Sequence, residues 1–91
     1  RIGTAECVAA YAALDSDLRA ALDLAANRIA DFHAKQRPVD SESTDSVGAR
    51  LGSRWRAVDA AGIYVPGGRA AYPSSVLMNA IPAKVAGVRE V

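Results

Sequence analysis

The feature that most constrains this chain is a change of hydrophobic period partway along it. Leu18, Leu22, Ala25, Ile29 and Phe32 recur at steps of four and three, which puts them on one stripe of an α-helix. From Ala49 the repeat becomes two. Ala49, Leu51, Ser53, Trp55 and Ala57 alternate with Arg50, Gly52, Arg54 and Arg56. Successive side chains of a strand point to opposite faces, so this stretch predicts a strand with one buried and one wet face. A chain that carries both periods must combine helix and strand, and its 91 residues are enough for one small domain.

The remaining elements follow from local signals. Thr4 is placed to cap a short first helix running to about Ala13, with Glu6 near its positive end. Asp15 or Ser16 caps the second helix. Pro38 pushes Arg37 out of helical torsions and ends that helix near Gln36. Residues 39–46 are polar and acidic and read as an exposed loop. Val58 to Val65 reads as a second strand, with a bend or bulge at Asp59 and Ala60. Ser74 or Ser75 can cap a third helix whose buried side is Val76, Leu77, Ala80, Ile81 and Val85. Pro82 inside it predicts a kink or an early end, and Gly87 is a natural stop. Val88 to Val91 begins another strand. The expected class is therefore α/β: N-terminal helices, a strand pair, a helix and the start of a further strand. Residues 1–57 hold the helices and first strand, and 58–91 begin an α/β unit. The chain opens on Arg1 rather than Met and stops as an apolar stretch starts, so a piece of a larger protein is expected.

Composition narrows the partners. Hydrophobic residues make up 51% of the chain, but alanine supplies much of that and aromatics only 5%. The expected core is thin: Leu18, Leu22, Ile29, Phe32, Leu51, Trp55, Ile63 and Val76. A thin core in a short chain favours a unit that leans on something larger. The net charge of +1 lacks the basic excess of a nucleic-acid binder, so no such partner is expected. No apolar run approaches the roughly 20 residues of a membrane span. The single cysteine, Cys7, excludes an internal disulfide, fits a reducing compartment and reads as a small buried hydrophobe.

Chemistry concentrates in Gly62-Ile63-Tyr64-Val65-Pro66-Gly67-Gly68. A strand that ends in Pro-Gly-Gly and leads to a helix puts permissive backbone at the carboxyl edge of a sheet, where ligands bind in open α/β folds. The amides that start the next helix could favour an anion. A simple turn explains the same residues, since the spacing is neither GxGxxG nor a P-loop. Tyr64 is correspondingly either a core-edge aromatic or a ring and hydroxyl offered to a ligand. His33, the lone histidine, has no partner at ligand spacing, so a complete zinc site within the chain is not expected. Arg50, Arg54, Arg56 and Arg69 form a potential basic face, read as solvated or paired with the acidic stretch 40–45. Asp40, Glu42 and Asp45 lack the spacing of a calcium loop.

These residues carry a resemblance. Gly62 to Gly68, followed at a matching distance by Ser75-Val76-Leu77-Met78-Asn79-Ala80-Ile81-Pro82-Ala83-Lys84-Val85-Ala86-Gly87-Val88, resembles the early part of histidinol dehydrogenase. The upstream stretch Ile29 to Gln36, with its Phe32-His33 pair before a proline-containing loop, is similar too. The likeness implies an incomplete Rossmann-like unit whose second part, 58–91, begins an NAD-binding region. It implies a cytoplasmic homodimer that oxidises L-histidinol to L-histidine in two hydride transfers to NAD, with one zinc per active site orienting the substrate and a Glu-His pair handling protons. The zinc ligands and that pair lie outside this chain. One position carries over: the tyrosine that contacts NAD in the family matches Tyr64. The resemblance thus implies one side of an NAD site, inactive by itself. Two other readings stand beside it. One is a different NAD-dependent, aldehyde-oxidising dehydrogenase with a catalytic cysteine further on. The other is a non-catalytic interaction module built on the amphipathic helix.

Overall fold

The computed structural model describes residues 2–68 and 71–91. Each helix begins where a side chain or backbone group can satisfy its first amides. Helix α1 (Thr4–Ala12) starts at the residue expected to cap it: Gly3 is the N-cap instead, and its N–H donates to Glu6 Oε2 at 2.8 Å. Helix α2 (Ser16–Ala34) is capped by Asp15, whose carboxylate accepts from the amides of Asp17 and Leu18 at 2.7 and 3.4 Å. It stops two residues short of Gln36. Arg19 reaches back from α2, and its Nη2 donates to the carbonyls of Ala12 and Leu14 at 2.9 and 3.1 Å. Those carbonyls have no helical partner of their own, so the arginine fixes the corner between α1 and α2.

The stretch expected to be a loop contains a strand. Strand β1 (Ser41–Thr44) pairs antiparallel with β2 (Arg50–Ser53), with Ser41 opposite Ser53 and Thr44 opposite Arg50. Asp45 makes the turn, its Oδ1 accepting from the amides of Val47 and Ala49 at 2.9 Å each, and Gly48 has φ 86°. The second strand is shorter than the alternation from Ala49 to Ala57 implied, and both of its faces are exposed. Leu51 and Trp55 are 61% and 60% exposed, so the expected buried face is not there. The physical reason is that alternation marks which side could be buried, while burial needs a second layer, and none packs on this hairpin.

Val58 to Val65 is not a regular strand either. It makes one parallel bridge, Ala60 to Glu90, with Ala61 N–H donating to the Glu90 carbonyl at 2.9 Å and Glu90 N–H to the Asp59 carbonyl at 3.3 Å. A ladder needs a run of paired residues, and among the described residues only Glu90 bridges to it. Helix α3 (Pro73–Ala86) is the crossover between the two segments, as a parallel pairing requires. The architecture is mixed α/β: three helices, a two-stranded antiparallel sheet and one parallel bridge among the described residues. That bridge is the whole of the parallel pairing among the described residues.

Tyr72, not Ser74 or Ser75, is the N-cap of α3, because Pro73 is preorganised for the first helical position. The helix continues through Pro82 rather than ending there. The proline removes the amide that would have bonded the Met78 carbonyl, yet four more residues stay helical. Gly87 then adopts φ 96°, its N–H donates to the Lys84 carbonyl and that of Val88 to the Ala83 carbonyl, both at 3.0 Å. This left-handed turn directs Val88 inward. Val88 is 7% exposed and is the one buried hydrophobic residue among those described.

The core is thinner than even the composition predicts. Helix α2 packs against α3, and Leu22, Ile29, Leu77, Ile81 and Val85 are half-buried. Ile63 is half-buried as well, whereas Leu18, Phe32, Leu51, Trp55 and Val76 stay exposed. The radius of gyration is 18.3 Å and the long axis 63 Å. A compact chain of this length would have a radius of about 12 Å. The accessible surface is 7601 Å², against about 5,000 Å² for a compact monomer of this mass.

Candidate functional site

The segment 60–65 leads into Pro66-Gly67-Gly68 and on to α3, as the sequence motif implied. Exposure alternates from Ala60 to Tyr64 and no further: Ala61 and Ile63 are half-buried, while Ala60, Gly62, Tyr64 and also Val65 are exposed. The backbone is thus extended, with Gly62 and Tyr64 on the same side. Tyr64 is 85% exposed and borders an open depression of about 660 Å³. Ile63, Val65, Val76, Ala80 and Ile2 supply apolar walls, and Glu90 sits on its rim. Gly68 has φ 131°, a conformation that side chains disfavour. Gly62 and Gly67 are different, since a Cβ added at either would meet nothing within 4 Å and neither has positive φ. Arg69 lies outside the described residues.

The parallel bridge fixes the position of this segment relative to the chain after α3. Arg89 Nη2 donates to Asp59 Oδ1 at 2.6 Å beside it. Both side chains are mostly exposed, and such pairs contribute little stability. The pair therefore trims the register while Val88 supplies the packing.

The other candidates are dispersed. His33 is half-buried and meets the Phe32 ring edge-on, with centroids 5.3 Å apart. It lines a separate depression of about 370 Å³ with Arg37, Trp55, Arg56 and Pro82, where the C-terminal ends of α2 and α3 converge. Cys7 is exposed, contrary to the buried role expected for it, because α1 has no layer on that side. Arg50 Nε donates to Glu42 Oε1 at 2.8 Å, so the basic face does pair with the acidic stretch at this position. Among the described residues, no group of three or more His, Cys, Asp or Glu side chains is arranged to hold a metal, and no helix is long and apolar enough to cross a membrane.

Two polar arrangements escaped the sequence reading. Tyr11 donates to both carboxylate oxygens of Asp23, at 2.6 and 2.7 Å, while Arg19 lies 5.4 Å from its ring centroid. The hydrogen bond to Asp23 raises the Tyr11 phenol above its ordinary value, with desolvation and the Asp23 charge adding to it and Arg19 opposing. No sequence spacing announces a pair twelve residues apart across a helix corner. The Asp45 turn did carry a signal, the Asp-x-x-Gly spacing of Asp45 and Gly48.

A helical crossover between two extended segments joined by one parallel bridge defines the class as a mixed α/β chain, with its candidate site beside that bridge and the glycine-rich bend. The family model for histidinol dehydrogenase matches residues 1–91, and the chain belongs to that family. It is 60% identical to the histidinol dehydrogenase of Rhodopseudomonas palustris over 91 residues, covering 100% of this chain and 21% of that protein. The match to that of Ruegeria pomeroyi is 61% over 88 residues, or 97% and 20% of the two chains. That of Zymomonas mobilis is 66% identical over 76 residues, or 84% and 18%. The chain thus spans about a fifth of the length of the curated relatives it matches.

Proposed function

We propose that this chain supplies one wall of an NAD site in a zinc-dependent histidinol dehydrogenase, which oxidises L-histidinol to L-histidine with two NAD, and that it does no chemistry alone. The observation that carries the reading is Tyr64, 85% exposed at the border of an apolar depression and two residues before Pro66 of the Pro-Gly-Gly bend. The described residues leave its ring open, with the hydroxyl free to reach a ligand. The residues present fit part of a dinucleotide. The apolar depression beside Tyr64 offers a surface to a flat ring, the phenol offers a hydrogen bond to its polar edge, and the glycines leave the backbone open to close approach. NAD, when bound, accepts the hydride. The task of Tyr64 is to hold and orient it.

Zinc does not fit this chain, since its described residues include no metal-binding group. The zinc ligands and the proton-handling pair of the family belong to the remainder of the enzyme, as do the cytoplasmic setting and the homodimer. Family membership removes the reading as another kind of aldehyde-oxidising dehydrogenase. The large accessible surface weighs against a self-sufficient interaction module.

The test is Tyr64→Phe in the full-length enzyme, with NAD affinity read by calorimetry. Loss of one hydrogen bond should weaken NAD by about fivefold with zinc content retained. Unchanged affinity would remove the hydroxyl from the site and leave at most the ring.

A further inference from the structure

Gly62 is a glycine that the chain's own fold does not require. Its φ is not positive, and a Cβ built on it would meet nothing within 4 Å. Two other glycines show what a requirement looks like. Gly87 needs φ 96° to end α3, and a Cβ at Gly52 would stand 2.8 Å from the Ser41 carbonyl oxygen. Gly62 has neither constraint, and glycine within an extended segment lowers stability through backbone entropy and lost packing. A glycine in such a place marks a point where something outside the segment approaches the backbone closely.

What approaches is indicated by its neighbours. Exposure alternates, so Gly62 and Tyr64 share a side, about 7 Å apart along the extended chain. Both border the same apolar depression, along the edge formed by the whole run from Ala60 to Val65. A flat ring held by Tyr64 would lie across the bare backbone at 62, and a side chain there would stand where the ring lies. We propose that Gly62 is a specificity-determining position of the cofactor site, the floor on which a heteroaromatic ring of NAD rests. The inference depends on the NAD reading of Tyr64.

The experiment compares Gly62→Ala, Gly62→Val and Tyr64→Phe in the full-length enzyme, each measured for NAD affinity, KM for L-histidinol, zinc content and melting temperature. The two Gly62 variants should weaken NAD in proportion to side-chain size, the valine by at least about tenfold. KM for L-histidinol and zinc content should hold, and the melting temperature should not fall, because the added atoms find open space. Should Gly62→Val fail to fold, the smaller Gly62→Ala decides on the same readouts. Wild-type NAD affinity in the Gly62 variants, with Tyr64→Phe weakened, would overturn this inference and leave the Tyr64 reading intact. Wild-type affinity in all three would overturn both. A lowered melting temperature with NAD affinity unchanged would show that a layer of protein, not the cofactor, lies over Gly62, and would equally sink the proposal.

Discussion

The hairpin of β1 and β2 and the corner made by segment 60–65, α3 and Val88 are both short of core, yet they hold together by different means. The hairpin is built from polar contacts close in sequence: Asp45 closes the turn, Glu42 pairs with Arg50, and Asp40 Oδ1 accepts the Trp55 amide at 2.8 Å. No residue in either strand is buried. The corner instead depends on contacts distant in sequence, a single parallel bridge and one buried valine. Local hydrogen bonding can shape a segment without a core, whereas joining distant segments has to overcome loop-closure entropy and needs buried surface to do so. The candidate site sits on the second kind of structure, so its geometry depends on whatever completes the corner.

The two regions should come apart most clearly at Gly52. Its added Cβ would meet backbone rather than a movable side chain, so Gly52→Ala should destabilise the hairpin by about 2 kcal/mol. Amide exchange across residues 41–53 would read this as faster opening while Val88 stays as protected as before. Equal loss in both regions would show that they are one cooperative unit. Gly87→Ala is the counterpart and should cost about 1 kcal/mol. It should loosen Val88 and the Ala60–Glu90 bridge but leave the hairpin amides alone. Asp45→Ala removes two hydrogen bonds from exposed amides that water can replace in part, so a loss of about 1 kcal/mol confined to the hairpin is expected. Faster amide exchange at Val88 in that variant would show that the hairpin and the corner open together.

The smallest effect lies outside both regions, at the corner of α1 and α2. The Tyr11 phenol is raised in the folded chain, chiefly by its hydrogen bond to Asp23. A raised group stabilises the fold fully below its unfolded value, here 10.0, and that contribution disappears as pH climbs through the higher folded value. Ultraviolet titration should therefore show Tyr11 ionising later than an ordinary tyrosine, with α1 loosening only in that alkaline range. Asp23→Asn should bring the titration back toward the ordinary value. If it does not, the carboxylate is not the cause.

Short-range chemistry explains which elements were legible. The capping carboxylate of Asp15, the stop at Gly87 and the stripe of α2 each act within a few residues, and each was readable from spacing. β1 was not, because Ser41 to Thr44 has no apolar alternation and is a strand only through backbone pairing with Arg50 to Ser53. The extent of β2 was overestimated for the complementary reason. Its alternation is real, but no layer covers Leu51 or Trp55. Tyr64 was legible as a candidate from its motif, while its exposure over the depression required the folded chain.

The three helices, the Asp15 cap, the Gly87 stop, the glycine-rich bend after the 60–65 segment and the family to which the motifs belong were all fixed by near neighbours, whereas Gly3 and Tyr72 cap α1 and α3 in place of the serine and threonine caps expected. Only the tertiary structure decided that residues 59–61 and 89–90 meet in parallel, that Val88 alone is buried among the described residues, and that Gly62 and Tyr64 share an open face. Those outcomes depend on which distant surfaces exclude water from one another, and no local spacing encodes that.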